Sequence, residues 1–359
     1  MKRLDWYIIR RFFFSFLLSM TLLILIIVFF DLSEKIDRFI EKKAPLSEII
    51  FTYYVNFIPF FVNMFIALFV FISVVFVTSR MAMHQETIAI FTSGISFKRY
   101  LYPFLLVSIV IFIFSLYLQN FVLPPANKKR FDFEWKYVRR NKPSGSYNIH
   151  MQLSQNSFFT LETYSFPTNT GYLCHLLQLD FNEGLHKHLY AQTIVYDTTR
   201  GRWKLLNGYE RKLTEKGEII RTFVEKDTIL PLQPKELHRD FENVDIMNFF
   251  ELNKFIDKQR MRGSDTVSAL LVEKHRRISF PFATIILTVL GVAIGSRKVR
   301  GGTGWHLGLG IALSFAYILI MQVVSSMGIS GVIHPILAAW LPNIIFAMVA
   351  YLFTRWAQQ

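Results

Sequence analysis

The run FFFSFLLSMTLLILIIVFF, Phe12 to Phe30, has nineteen residues and no charge. As a helix rising ~1.5 Å per residue it reaches ~28 Å, close to the ~30 Å of a bilayer's hydrocarbon. Lys2, Arg3, Arg10 and Arg11 precede it, as in a signal peptide. The run exceeds a usual signal core, however, and Asp31-Leu32-Ser33-Glu34 follows in place of a small-residue cleavage site, so a retained first span is expected.

Five more such runs follow: Phe51 to Thr78, Leu101 to Leu123, Ile278 to Ser296, Trp305 to Met327 and Pro335 to Phe353. Together they predict a polytopic α-helical membrane protein with six transmembrane helices, three on each side of a long polar insert. The composition agrees. With 52% hydrophobic residues and 37 Phe, the chain is too apolar for an ordinary soluble domain.

Orientation is read from Lys and Arg in the short connections. The N-terminus, the second connection (Arg80, Lys98, Arg99), the fourth (Arg297, Lys298, Arg300) and Arg355 hold eleven cations against two acids, Asp5 and Glu86. Residues 31–50 carry four cations and five acids, and 328–334 carry no Lys or Arg. Both termini are therefore expected in the cytoplasm and the insert outside. Much of the net charge of +14 is then topogenic, and no nucleic-acid partner is needed to explain it.

The insert predicts short strands: YNIHMQL, SFFTLETY, YLCHLLQLDF, LHKHLYAQTIVYD, RWKLLNGYERKL and EIIRTFVEKDTIL, between Tyr147 and Leu230. NEG, TTRG and TEKG supply turn residues between them, giving an antiparallel β domain. From Asp245 to His275 the pattern becomes helical and polar, a connector back to the membrane. The expected organisation is 1–127 for three spans, 128–244 for the β domain, 245–277 for the connector and 278–359 for the last three spans.

No catalytic constellation is evident. One cysteine, Cys174, excludes an internal disulfide and any multi-cysteine metal site. His186 and His188 sit two apart in HKH, but no third metal ligand accompanies them. GVAIGSRK, Gly291 to Lys298, lacks the spacing and the hydroxyl of a phosphate loop. No cofactor is expected on this chain.

The second connection, residues 84–97, reads HQETIAIFTSGISF. At helical spacing Glu86, Ala89, Ile90 and Ser93 share a face, with Ile88, Phe91, Thr92 and Ile95 beside it and Gly94 as a stop. Two readings stand on pattern alone: an interfacial turn between spans, or a docking helix whose apolar face enters a partner's groove while Glu86 meets a partner cation.

LDWYIIRRFFFSFL at the start, ETIAIFTSGIS after span two, VLPPANKKR after span three and RRISFPFATIILTVLGVAIG at span four together resemble the LptF/LptG family of lipopolysaccharide-export permeases, also called YjgP/YjgQ. The likeness covers essentially the whole chain. It implies a transmembrane subunit of an ABC transporter that extracts lipopolysaccharide from the inner membrane, with the insert as a periplasmic β-jellyroll. It further implies a heterodimer with a second LptF/LptG-type permease, gated by spans one and five, and an LptC/LptA-type periplasmic bridge. ATP would be used by a separate LptB-type ATPase dimer, met through a coupling helix carrying Glu86, Ala89, Ile90, Phe91 and Gly94.

Lipopolysaccharide joins anionic sugars and phosphates to acyl chains, so cations at the outer interface above an apolar cavity suit it. Lys35, Arg38, Lys42 and Lys43 follow span one, and Lys128, Lys129 and Arg130 follow span three. Lys35, Arg38 and Arg130 are the candidate lipid contacts, with ordinary interfacial anchoring as the plain alternative. Asn56, Pro59 and Asn63 interrupt span two, either lining a lipid chamber or bonding between helices. Gly304, Gly308 and Gly310 in span five permit close packing. Two other classes remain: a membrane-anchored envelope sensor or structural protein, and a secondary transporter. The latter normally shows intramembrane carboxylates or a strong repeat, and neither is present here.

Overall fold

In the computed structural model, six helices among the described residues are long and apolar enough to cross a membrane. The described residues are all except 1–2, 139–144, 181–183, 199, 215–216, 238–243, 262, 265, 298–301 and 358–359. Lys2, Lys298 and Arg300, which contribute to the charge asymmetry, lie outside them, as do parts of the NEG, TTRG and TEKG turns.

Span one is α1 (Arg3–Glu41). Span two is a π-helical turn, Glu48–Tyr54, continuing into α2 (Val55–Met83). The short α3 (Glu86–Thr92) leads to span three, made of α4 (Phe97–Tyr117), a second π-helical turn at Leu118–Val122, and α5 (Leu123–Tyr137). The helix runs through Pro124 and Pro125 because they occupy its first turn, where a missing N–H costs little.

Spans four to six are α7 (Val267–Gly295), α8 (Gly302–Ile329) and α9 (Pro335–Ala357). Both halves of the chain build one membrane unit. One cluster joins Ile8, Phe12 and Phe104 to Val74 and Val292, and another joins Phe71 to Leu287, Tyr317 and Phe346. The α2–α7 contact is close: a Cβ on Gly291 would stand 3.0 Å from Phe71 and Val74, and one on Gly295 would collide with Thr78. Two polar side chains inside the helices bond across them. Tyr317 Oη donates to Asn343 Oδ1 at 2.9 Å, and Asn343 Nδ2 donates to the Ser279 carbonyl at 2.6 Å.

The second unit comprises residues 139–244 and 253–267. Its sheet contains β1 (Gly145–Ser154), β2 (Ser157–Ser165), β3 (Thr170–Asp180), β4 (Gly184–Asp197), β5 (Arg202–Thr214) and β6 (Gly217–Thr228). All neighbours are antiparallel and pair in chain order, so the described sheet is an up-and-down meander. Phe159, Leu161, Cys174, Leu189, Ala191, Ile194 and Leu205 form one buried cluster with Trp203, the strict alternation changing phase between Ala191 and Ile194.

The register aligns Leu161, Cys174, Ala191 and Gly208 across four strands. Phe223 lies opposite Gly208, and its ring occupies the place a side chain would take there. Trp203 Nε1 donates to the Leu232 carbonyl at 2.8 Å, tying the segment after β6 to the core. In α6 (Phe249–Met261) the first residues group with the membrane helices and the remainder groups with the sheet.

Candidate functional site

At the end of the helices nearest the termini, α3 is bracketed by two left-handed residues, Gln85 at φ 60° and Gly94 at φ 83°. Glycine adopts that conformation freely, whereas Gln85 is held there. Ile90 and Phe91 turn inward onto the membrane core, with the Phe91 ring 5.3 Å from that of Tyr100. Ile88, Ala89, Thr92 and Ser93 face outward. The predicted apolar face is thus split: its largest members anchor α3, and a smaller, mixed face is exposed.

Glu86 is bonded within the chain. Arg11 Nη1 lies 3.0 Å from both of its oxygens, and Tyr7 Oη donates to Oε2 at 2.9 Å. The Arg11 guanidinium also lies 4.3 Å from the centroid of the Tyr7 ring. Beside this group, Arg99 at the start of α4 grips Asp5 of α1 through both nitrogens at 2.8 Å, a paired geometry stronger than a single contact. The Asp5 side chain is 3% exposed. The N-terminal turns of α1 are therefore fastened to α3 and to α4.

At the opposite end, the Lys35 ammonium lies 4.9 Å and 5.6 Å from the ring centroids of Tyr53 and Phe57, which belong to a buried cluster with Phe39, Tyr54 and Phe133. Its Nζ donates to Asp31 Oδ1 at 2.5 Å and to Tyr53 Oη, and lies 3.8 Å from Glu134. Arg130 is 8% exposed, 3.9 Å from Glu134, with its guanidinium over the rings of Phe60 and Phe131. Arg38 is exposed, on the outer surface of α1. The structure thus brings Lys35 and Arg130 together through Glu134 and leaves Arg38 apart.

The polar residues of span two bond to other groups. Ser115 donates to Asn63 Oδ1 at 2.9 Å and Asn63 Nδ2 donates to Gln119, linking spans two and three, while Asn56 bonds the Thr52 carbonyl at 2.9 Å. On the sheet, His188 stacks on His175, with ring nitrogens 3.1 Å apart. Among the described residues no group of three or more His, Cys, Asp or Glu is placed to hold a metal.

Packing within the chain is uneven. In their most apolar windows α1 and α8 are 17% and 22% buried, against 67% for α7. Among the described residues, a Cβ on Gly304 or Gly308 meets nothing within 4 Å, whereas Gly310 lies against Val75.

Six candidate spans and a β domain inserted after the third define a multi-pass membrane protein. The chain belongs to the LptF/LptG family: the family described as lipopolysaccharide export system permease LptF/LptG matches residues 6–355. Its general role is that of a permease in lipopolysaccharide export. No curated protein matches the chain.

Proposed function

We propose that this chain extracts lipopolysaccharide from the outer leaflet of the inner membrane as one half of an LptF/LptG-type heterodimer and passes it through its β domain to an LptC/LptA-type bridge. Both termini and α3 lie in the cytoplasm, and the β domain lies in the periplasm. This orientation rests on the eleven cations and two acids of the basic connections. An LptB-type ATPase dimer supplies the energy and docks against α3.

The observation that carries the mechanism is the attachment of α3 to α1 through Glu86 and Arg11, together with the scant burial of α1. Docking of the ATPase on the outward face of α3 moves a helix already fastened to span one. Span one and span five, the two least packed in the chain, then form the lateral boundary with the second permease. Narrowing of the space between the subunits displaces the acyl chains toward the periplasm. Arg38 faces the lipid headgroup, and Lys35 and Arg130 support the helix ends around it.

The test is coexpression with an LptB-type ATPase and a second permease, followed by lipopolysaccharide release from proteoliposomes on addition of ATP. Retention of the ATPase by the native chain, with loss of coupled release when Ile88 and Ala89 are replaced by Asp, is the expected result. A native chain that never retains the ATPase and releases no lipopolysaccharide overturns the reading.

A further inference from the structure

Four aromatic side chains close a ring on the sheet of the β domain. Between ring centroids, His175 of β3 lies 5.0 Å from Tyr190 of β4, and Tyr190 lies 5.3 Å from Tyr209 of β5. Tyr209 lies 5.6 Å from His188 of β4, and His188 lies 5.3 Å from His175. Alternation builds the ring. Cys174, Leu189 and Ala191 point into the buried cluster, so His175, His188 and Tyr190, their neighbours in the chain, point to the opposite face. Both histidines are half-buried there.

The two imidazoles share one hydrogen. His175 Nδ1 and His188 Nε2 face each other at 3.1 Å, between rings whose planes differ by 10°. Such a bond needs one nitrogen protonated and the other with a free lone pair. One added proton is tolerated: it sits on the far nitrogen of the donor ring and makes the bond charge-assisted. A second proton is not. It must take the accepting lone pair itself, which leaves two N–H groups and two like charges facing each other at that distance. The surroundings oppose it too. His175 stands opposite Thr160 and Tyr190, and His188 opposite Leu177 and Arg211, while His150 lies beyond Thr160 and His186 precedes His188 by two residues on β4. Arg211 Nε donates to Glu218 Oε2 at 3.1 Å. Burial, with the charges of His175 and Arg211, lowers the pKa of His188 from its ordinary 6.5.

We propose that the His175–His188 pair is an acid-released clasp, joining the outer faces of β3 and β4 while it carries at most one proton and parting when a second arrives. Parting opens the ring of four side chains and leaves two imidazolium charges beside Arg211. A face that held one paired cation then holds three. The folded chain resists the proton on His188 more than the unfolded chain does, so the clasp is fully stabilising above about pH 6.5 and weakens as pH falls below that value. Carboxylates titrate lower, which separates their response from this one. The device belongs to the β domain and does not depend on the identity of the exported lipid.

The full-length chain in lipid nanodiscs is followed by two exchange measurements with mass-spectrometric readout. Exchange at the histidine ring carbon reports the titration of each imidazole, and backbone amide exchange, corrected for its intrinsic pH dependence, reports opening of β3 and β4. The expected result is a His188 titration below 6.5, with β3 and β4 amides near the pair exchanging roughly threefold faster at about pH 5 than at about pH 7. His175→Asn keeps an N–H donor in place of Nδ1 but takes no proton. Its amides should keep their protection near neutral pH and lose the acid response, while His188 moves up toward 6.5. If that variant does not fold, His188→Gln serves, and it too should lose the acid response. A His188 titration at the ordinary value, an unaltered acid response in a folded variant, or acceleration that spares β3 overturns the proposal.

Discussion

Arg11 and Glu86, 75 residues apart, form an ion pair at 3.0 Å that ties the first span to the short helix α3. Their side chains are 39% and 29% exposed, so the pair contributes only about 0.2–1 kcal/mol to stability. Its importance is geometric. Arg11→Ala and Glu86→Ala should each shift the melting temperature little while lowering ATP-coupled lipopolysaccharide release, and the exchange Arg11→Glu with Glu86→Arg should restore part of it. Unchanged release in Arg11→Ala would show that α1 does not take part in coupling through this pair.

Lys35 and Arg38 lie one turn apart on α1 and should behave in opposite ways. Removing Lys35 takes the cation from Asp31 and leaves Glu134 facing Arg130, in a largely enclosed cluster, a loss of up to roughly 3–5 kcal/mol. Arg38 is exposed, and Arg38→Ala should change stability by less than about 0.5 kcal/mol while reducing lipopolysaccharide crosslinking near the outer end of span one. Thermal unfolding separates the two effects from the crosslinking yield.

The glycines of the helix unit divide in the same manner. Gly295→Ala forces a methyl into Thr78 and should cost about 1–3 kcal/mol. Gly308→Ala meets open space within the chain and should leave its unfolding unchanged. A larger residue, Gly308→Leu, should reduce recovery of the second permease in a pull-down without loss of the folded chain.

Glu210 receives Lys187 at 2.8 Å as well as Lys226, and these two cations lower its pKa to about 2. The ordinary value is 4.5, so the stabilisation is complete above that pH and is lost as pH falls toward 2. Hydrogen exchange in β4 to β6 should therefore accelerate through this window in the native protein. Glu210→Gln should be less stable at neutral pH, and its exchange should vary less with acidification.

Cys174 is 1% exposed, and burial raises its thiol pKa to about 12. Alkylation at pH 8 should proceed only as fast as the sheet opens, which makes this residue a reporter for the domain. Rapid labelling of the intact protein would contradict the buried register with Leu161 and Ala191.

The spans and strands were legible because each is a local pattern. Phe12 to Phe30 announces itself by length and lack of charge, and the six predicted strands match β1 to β6 apart from their ends. The clusters were not legible. Lys35 reads as a free interfacial cation until Tyr53 and Glu134 are brought to it, from 18 and 99 residues away in the chain. Glu86 likewise reads as available to a partner until Arg11 reaches it. Asn63 was recognised as polar within hydrocarbon, but its bonds to Ser115 and Gln119 depend on the register of two spans and on a π-helical turn between α4 and α5. His188 was noticed beside His186, but its bond to His175 depends on the register of β3 with β4, which the spacing in HKH does not announce.

The chain-order pairing of the sheet bears on how the protein is made. Each β hairpin joins segments adjacent in sequence, so β1 to β6 can assemble as they emerge from synthesis, without waiting for residues yet to come. The helix unit has no such freedom. Phe71 and Val74 on α2 find their partners, Gly291, Leu287 and Val292, only after the whole insert has been made. The first three spans must therefore persist in the bilayer with an incomplete interface while the sheet folds. Completion of the membrane core is the last act of biogenesis, and a nascent chain halted before α7 should carry a protected sheet beside an α2 whose inner face is still open.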